Sequence, residues 1–167
     1  MLEEREIVTP TYREALITRE KSFPTGLDME FLGKDLPNVA IPHTDIVHNL
    51  AEKVVVVRLE KPVTFHNMIA PDKEVEVSLL FFIINNSSSS QTNILAQLMD
   101  FFTGNGHLED LSKISLFLNP RLRISFHTCS MGFISGVYGG INAKSILVGI
   151  FKVLDLCHIA LSITSKR

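Results

Sequence analysis

The stretch Val39-Ala40-Ile41-Pro42-His43-Thr44-Asp45 sets an imidazole directly after a proline, at the end of a short apolar run. Proline fixes φ and removes a backbone donor, which helps to end a strand and to present the next side chain at its edge. In open α/β sheets, ligand sites lie outside the carboxyl ends of strands. An imidazole at such an edge titrates near neutral pH and suits a general base, a nucleophile or a metal ligand. A packed or hydrogen-bonded structural histidine is the plain alternative. A metal triplet would combine His43 with Asp45 and His48, but it matches no common zinc spacing. No G-x-S-x-G and no G-x-x-x-x-G-K-[ST] occurs, so serine-hydrolase and P-loop chemistry have no support. Asp72, Asp100 and Glu109 are scattered along the chain, and His66 and His107 read as loop residues without a partner.

Arg19 is the second residue that stands out. A helix is predicted from about Thr9 to Ser22, with Pro10 in its first turn and Thr11-Tyr12-Arg13-Glu14 in capping-box form. Tyr12, Ala15 and Leu16 define one face. Arg19 falls on that same face, at i+7 from Tyr12, where an apolar residue is expected. Two readings stand side by side. Either its stem covers the core edge while its head reaches water, or the guanidinium is aimed at an anion from the end of the helix.

The remaining elements form a frame for these two residues. Pro24 should stop the helix, and Pro24-Thr25-Gly26 reads as a turn. Asn38 to Pro42 is a short strand. Lys53 to Phe65 is a longer one, rich in β-branched residues, with Pro62 marking a break within it. Glu74 to Ile84 alternates at first and then turns continuously apolar, as a strand buried on both faces would. Asn85 to Ser90 is a loop offering N-caps to a helix over Gln91 to Thr103. The stripe of that helix is Ile94, Leu95, Leu98, Met99 and Phe102. Gly104-Asn105-Gly106 should end it, and a short helix follows over about Leu108 to Ile114. The fold expected is α/β: a single layered domain with a mixed β-sheet and helices on both faces.

Composition narrows the function class. Net charge is −2 and no basic stripe interleaves with aromatics, so nucleic acid is not an expected partner. The N-terminus is acidic and has no apolar signal core. Two cysteines, Cys129 and Cys157, show no metal-type spacing and fit a reducing, cytoplasmic setting. Residues 1–118 hold 17 of the 18 acidic side chains against 10 of the 16 basic ones, a net of −7. Residues 119–167 reverse that balance, which divides the chain at about residue 118. Ser145 to Ile163 approaches membrane-spanning length. Lys152 and Asp155 near its middle would each cost about 2.5–3.5 kcal/mol on insertion, so direct membrane insertion is not expected.

The run REKSFPTGL, followed about a dozen residues later by NVAIPHTD, resembles the enzyme IIA domains of the sugar phosphotransferase system. The likeness is to the mannitol/fructose superfamily, nearest its galactitol-type branch, and KPVTFHNM and EVEVSLLFFII fit that branch too. It covers about residues 5–118, leaving 119–167 unassigned, and it implies a phosphotransferase/anion-transport-like IIA fold. It further implies a phosphocarrier, in which His43 accepts a phosphoryl group from phospho-HPr and passes it to a cysteine of the cognate IIB component. By the same likeness Arg19 steadies the phosphoryl group, Nε2 of His43 carries it, and Nδ1 is held by a backbone or side-chain acceptor. Thr44 is an additional donor candidate. Mannitol-type members place a second histidine at the start of the helix after the long apolar strand. Here Gln91-Thr92-Asn93 stands there, so Asn93 is a donor candidate that cannot titrate. Family members carry a further N-terminal segment, so the likeness implies a chain short at that end. The tail would then be either a divergent C-terminus or a piece that packs on the domain. No cofactor or metal is implied. The rival readings are a IIA-like regulator that signals by its phosphorylation state, and a truncated degenerate copy.

Overall fold

The computed structural model describes residues 2–87, 91–104 and 107–113, and the backbone of strands at 124–126, 129–133, 137–138, 141–142 and 146–151. Side chains are described for residues 2–112, except at 60, 88–93 and 105–107. In chain order the elements are α1 (Tyr12–Ser22), β1 (Gly26–Leu27), β2 (Asn38–Ala40), a 3-10 turn (Ile46–His48), β3 (Lys53–His66) and β4 (Glu74–Ile84). They continue with α2 (Gln91–Thr103), α3 (His107–Lys113), β5 (Ile124–Phe126), β6 (Cys129–Phe133), β7 (Val137–Tyr138), β8 (Ile141–Asn142) and β9 (Ile146–Phe151).

Seven strands form one sheet in the order β1-β2-β4-β3-β9-β6-β5, with β7 and β8 paired apart from it. The β2–β4 and β3–β9 pairs are parallel and the others antiparallel, so the sheet is mixed. The long β3–β4 ladder at its middle follows from the β-branched run Val54–Val57 facing the apolar run Leu79–Ile84. Strand periodicity sends alternate residues to opposite faces. Val55 and Val57 join Tyr12 and Leu16 of α1 in one core. Val54 and Val56 join Leu98, Phe101 and Phe102 of α2 and Leu108 of α3 in the other. Phe81 anchors that second core, with its ring centroid 4.9 Å from Phe102 and 6.3 Å from Phe101, both edge-on. Helices thus cover both faces, as the sequence predicts.

Several local expectations are corrected. The break expected at Pro62 is one of pairing and not of the strand: β3 runs on to His66, while its ladder to β4 is interrupted and shifts register between Arg58 and Val63. Thr11 makes no capping-box bond, because its hydroxyl lies 2.9 Å from Nδ1 of His48 and 3.0 Å from the hydroxyl of Thr9. On α2, Phe101 takes the buried position and Met99 turns outward. His66 is the last residue of β3 and His107 the first of α3, so neither is a loop residue. The capping serines of α2 and the Asn105-Gly106 pair lie outside the described residues.

The backbone of the C-terminal stretch continues the sheet, since β9 pairs with β3 from Val54 to Leu59 on the side away from β4. Of the 145–163 stretch, residues 146–151 are strand and the rest lies outside the described residues. Among the described residues no helix is long and apolar enough to cross a membrane.

Candidate functional site

Two short connections bring the site together. β2 runs parallel to β4, and the chain leaves its carboxyl end as Ile41-Pro42-His43. It stays beside β4, where Ile83 N–H donates to the Pro42 carbonyl at 3.2 Å and His43 bridges to Ile83. From the other side α1 ends at Ser22, with the Phe23 N–H closing on the Arg19 carbonyl at 2.7 Å. That puts the Arg19 cation in the last helical turn, where the macrodipole favours positive charge.

His43 is 8% exposed and both ring nitrogens are engaged. Nη2 of Arg19 lies 2.6 Å from Nε2, and Nδ1 lies 2.8 Å from the Ile41 carbonyl oxygen. Guanidinium has donors only and a carbonyl accepts only. Nε2 must therefore present its lone pair to Arg19, and Nδ1 must carry the proton it donates to Ile41. One neutral tautomer satisfies both bonds. Burial lowers the His43 pKa and the Arg19 charge lowers it further, while the Ile41 bond and Asp45 pull the other way. The ring is thus held neutral, with its nucleophilic nitrogen on the arginine side.

Arg19 is itself ordered by its surroundings. Its guanidinium carbon sits 5.6 Å from the ring centroid of Phe23, a cation–π contact. Its Nε has no acceptor among the described residues. The snorkelling reading is therefore too weak, since the head turns inward to the imidazole.

The loop beyond His43 is pinned by Asn49, a buried residue whose Nδ2 donates to the Asn85 carbonyl at 2.8 Å. The Thr44 hydroxyl points into this network, 3.3 Å from both Asn49 Oδ1 and the Asp45 carbonyl oxygen. Thr44 thus braces the loop in this state. Asn93 lies in the first turn of α2, and its side chain lies outside the described residues. His48 turns to Thr11, and no group of three or more metal-ligating side chains occurs among the described residues.

Sequence reasoning missed Glu20. It lies four residues beyond Leu16 on the buried stripe of α1 and is 4% exposed. Its place on that stripe was the available signal. Two hollows of about 280 and 340 Å³ flank residues 34–36, and neither is lined by His43 or Arg19.

Residues 1–117 match the family model described as phosphoenolpyruvate-dependent sugar phosphotransferase system, EIIA 2. The chain belongs to that family. Among relatives of this EIIA domain are the galactitol-specific EIIA components of Escherichia coli K12 and O157:H7. Each is 32% identical over 89 residues, covering 53% of this chain and 55% of the relative. The chain spans about half the length of the curated relatives it matches. The EIIA fold is shared with a protein described as a PTS IIA (PtxA) from Streptococcus mutans, at a TM-score of 0.52 and 24% identity. That match covers 68% of this chain and 67% of the other. A PTS IIA domain structure from Streptococcus pyogenes matches at a TM-score of 0.51 and 22% identity, over 68% of both chains.

Proposed function

We propose that this EIIA chain is a cytoplasmic phosphocarrier that takes a phosphoryl group from phospho-HPr onto Nε2 of His43 and passes it to a cysteine of a galactitol-type IIB component. The observation that carries the reading is the two-sided grip on His43, which leaves Nε2 unprotonated beside a cation. In the acceptor step the Nε2 lone pair forms the new bond to phosphorus. The bond from phosphorus to the donor breaks, and its electron pair leaves with the donor. The Nδ1 proton stays in place, and its bond to the Ile41 carbonyl stabilises the positive charge that the ring gains. Arg19 swings its donors from the lone pair to the equatorial oxygens, and its unpaired Nε leaves it spare capacity. Such a step needs positioning and charge stabilisation above all. Passing the group to a thiolate reverses the sequence and restores the resting ring.

Apolar side chains stand exposed beside both site residues: Phe23 just after Arg19, and Ile46 and Val47 just after His43. They offer contact area to protein partners on both legs of the relay. The phosphocarrier unit is residues 1–118. Of the strands beyond it, β9, β6 and β5 lie on the other side of β3 from β2.

The test is phosphotransfer from labelled phosphoenolpyruvate through enzyme I and HPr, then onward to a purified galactitol-type IIB. The wild type should acquire an acid-labile, base-stable phosphate and discharge it to IIB, while His43→Gln should stay unlabelled. Normal labelling of His43→Gln would overturn the assignment.

A further inference from the structure

The phosphocarrier chemistry gives Glu20 no task, yet its position is costly. It occupies a core-facing site between α1 and the sheet, in line with Tyr12 and Leu16. Burial raises its pKa, opposed by the two bonds from Thr25 and by the charges of Arg19 and His66. An apolar side chain there would complete the stripe without the desolvation cost of a carboxylate. The value of the carboxylate must lie in what it holds.

It holds Thr25 with both oxygens. The Thr25 N–H donates to Oε1 at 2.7 Å and the Thr25 hydroxyl donates to Oε2 at 2.7 Å. The path goes on from there. The Thr25 carbonyl accepts the Ile41 N–H at 3.2 Å, and the Ile41 carbonyl accepts the proton on Nδ1 of His43 at 2.8 Å. Two residues, Thr25 and Ile41, thus link the Glu20 carboxylate to the ring nitrogen opposite the nucleophile, while Arg19, its chain neighbour, touches the nucleophile itself. Gly26, next after Thr25, fixes where this connection lies. A Cβ there would come within 2.6 Å of the His66 carbonyl oxygen, so the segment packs against β3 at a distance that no other residue permits.

We infer that Glu20 is a positioning residue which, through Thr25 and Ile41, sets the orientation and tautomer of His43. This rests on His43 being the phosphoryl acceptor. The end of one helix then grips the imidazole on both sides, Arg19 directly at Nε2 and Glu20 at one remove at Nδ1. Without the anchor, Thr25 loses both bonds to the Glu20 carboxylate, and the Ile41 carbonyl that accepts the Nδ1 proton is held less firmly.

The experiment compares Glu20→Leu, Glu20→Gln and Thr25→Val by ¹⁵N NMR of the His43 ring and by steady-state phosphotransfer. The wild type should show a protonated Nδ1 and an unprotonated Nε2. In Glu20→Leu the two signals should move toward each other as the tautomers mix. Its kcat should fall about 10-fold to 100-fold, as for a misplaced reacting group, with KM for phospho-HPr within about twofold. Glu20→Gln keeps an acceptor for the Thr25 N–H and offers an amide to the Thr25 hydroxyl, so it should restore most of both. Thr25→Val keeps the side-chain shape and one of the two bonds, so it should fall between them and supplies the reading if Glu20→Leu fails to fold. Folded variants that keep the wild-type ¹⁵N pattern and kcat would overturn the inference, as would a mixed tautomer already present in the wild type. The NMR readout needs no phosphoryl donor. A wild type that is never phosphorylated would therefore sink the proposed function and leave this measurement decisive for Glu20.

Discussion

Replacing Arg19 by glutamine removes the only cation in contact with Nε2 among the described residues, and the geometry lets the net effect be worked out. In the resting protein Nη2 bonds at 2.6 Å the lone pair that, on the proposed function, attacks phosphorus. A bond from a charged donor is worth about 1.5–3 kcal/mol, and it must be given up before transfer. Set against that, an aimed donor at developing phosphoryl charge contributes about 2.7–4 kcal/mol. The two partly cancel. The variant loses the second contribution but is spared the first, leaving a net loss of about 1–2 kcal/mol, or roughly 5-fold to 30-fold in rate. That is far less than the loss on removing an arginine finger that has no resting partner. The assay is single-turnover transfer from phospho-HPr, with circular dichroism to confirm that the fold is kept. A folded Arg19→Gln that transfers within twofold of wild type would refute the role in transfer. A loss beyond about 1000-fold would refute the claim that the resting bond offsets the gain.

Three further outcomes follow from the same contacts. Burial and Arg19 hold the His43 pKa below its ordinary value near 6.5, so phosphoryl acceptance should persist below that pH and fall only as the ring protonates and loses Arg19. An NMR titration should place the midpoint below that of a free histidine, and Arg19→Gln should move it upward. Because the folded value is the lower one, the unfolded chain takes up the proton first on acidification. The stability linked to His43 is then lost as pH falls from about 6.5 through the folded value. Gly26→Ala should cost about 1–3 kcal/mol in urea denaturation, since its Cβ meets backbone at the His66 carbonyl rather than a movable side-chain tip. A wild-type midpoint would show that the segment can back away. Asn49→Ala removes the bond to the Asn85 carbonyl and the acceptor for Thr44, and should cost about 1–3 kcal/mol. A change under about 0.5 kcal/mol would mean that the loop is held by other means.

The parts legible in the sequence were those with strong local chemistry. The β-branched run of β3 and the apolar run of β4 can satisfy their pattern in few ways, and they form the centre of the sheet. His43 and Arg19 each stood out locally, one following Ile-Pro and the other interrupting an apolar face, but only the family likeness joined them as a pair. Their contact across 24 residues was not readable from spacing. What failed was competition between local and distant partners. Thr11 has the form of a cap, yet its hydroxyl goes to His48, 37 residues away. Pro62 has the form of a strand breaker, yet β3 runs on past it and only the ladder to β4 is interrupted and shifted in register there. Glu20 went unread because a carboxylate on a buried stripe makes sense only once Thr25 is folded back against it.

If His43 is the phosphoryl acceptor, its bond to Arg19 would also act as a filter on electrophiles. A neutral reagent approaching the ring meets a lone pair already occupied by a guanidinium and has no charge with which to draw that cation away. An anionic phosphoryl donor brings its own inducement, since its oxygens are better partners for the arginine than the imidazole is. On the proposed function, the histidine would become reactive only toward the class of molecule able to unlock it. Its selectivity would then be set by the arginine that guards the lone pair.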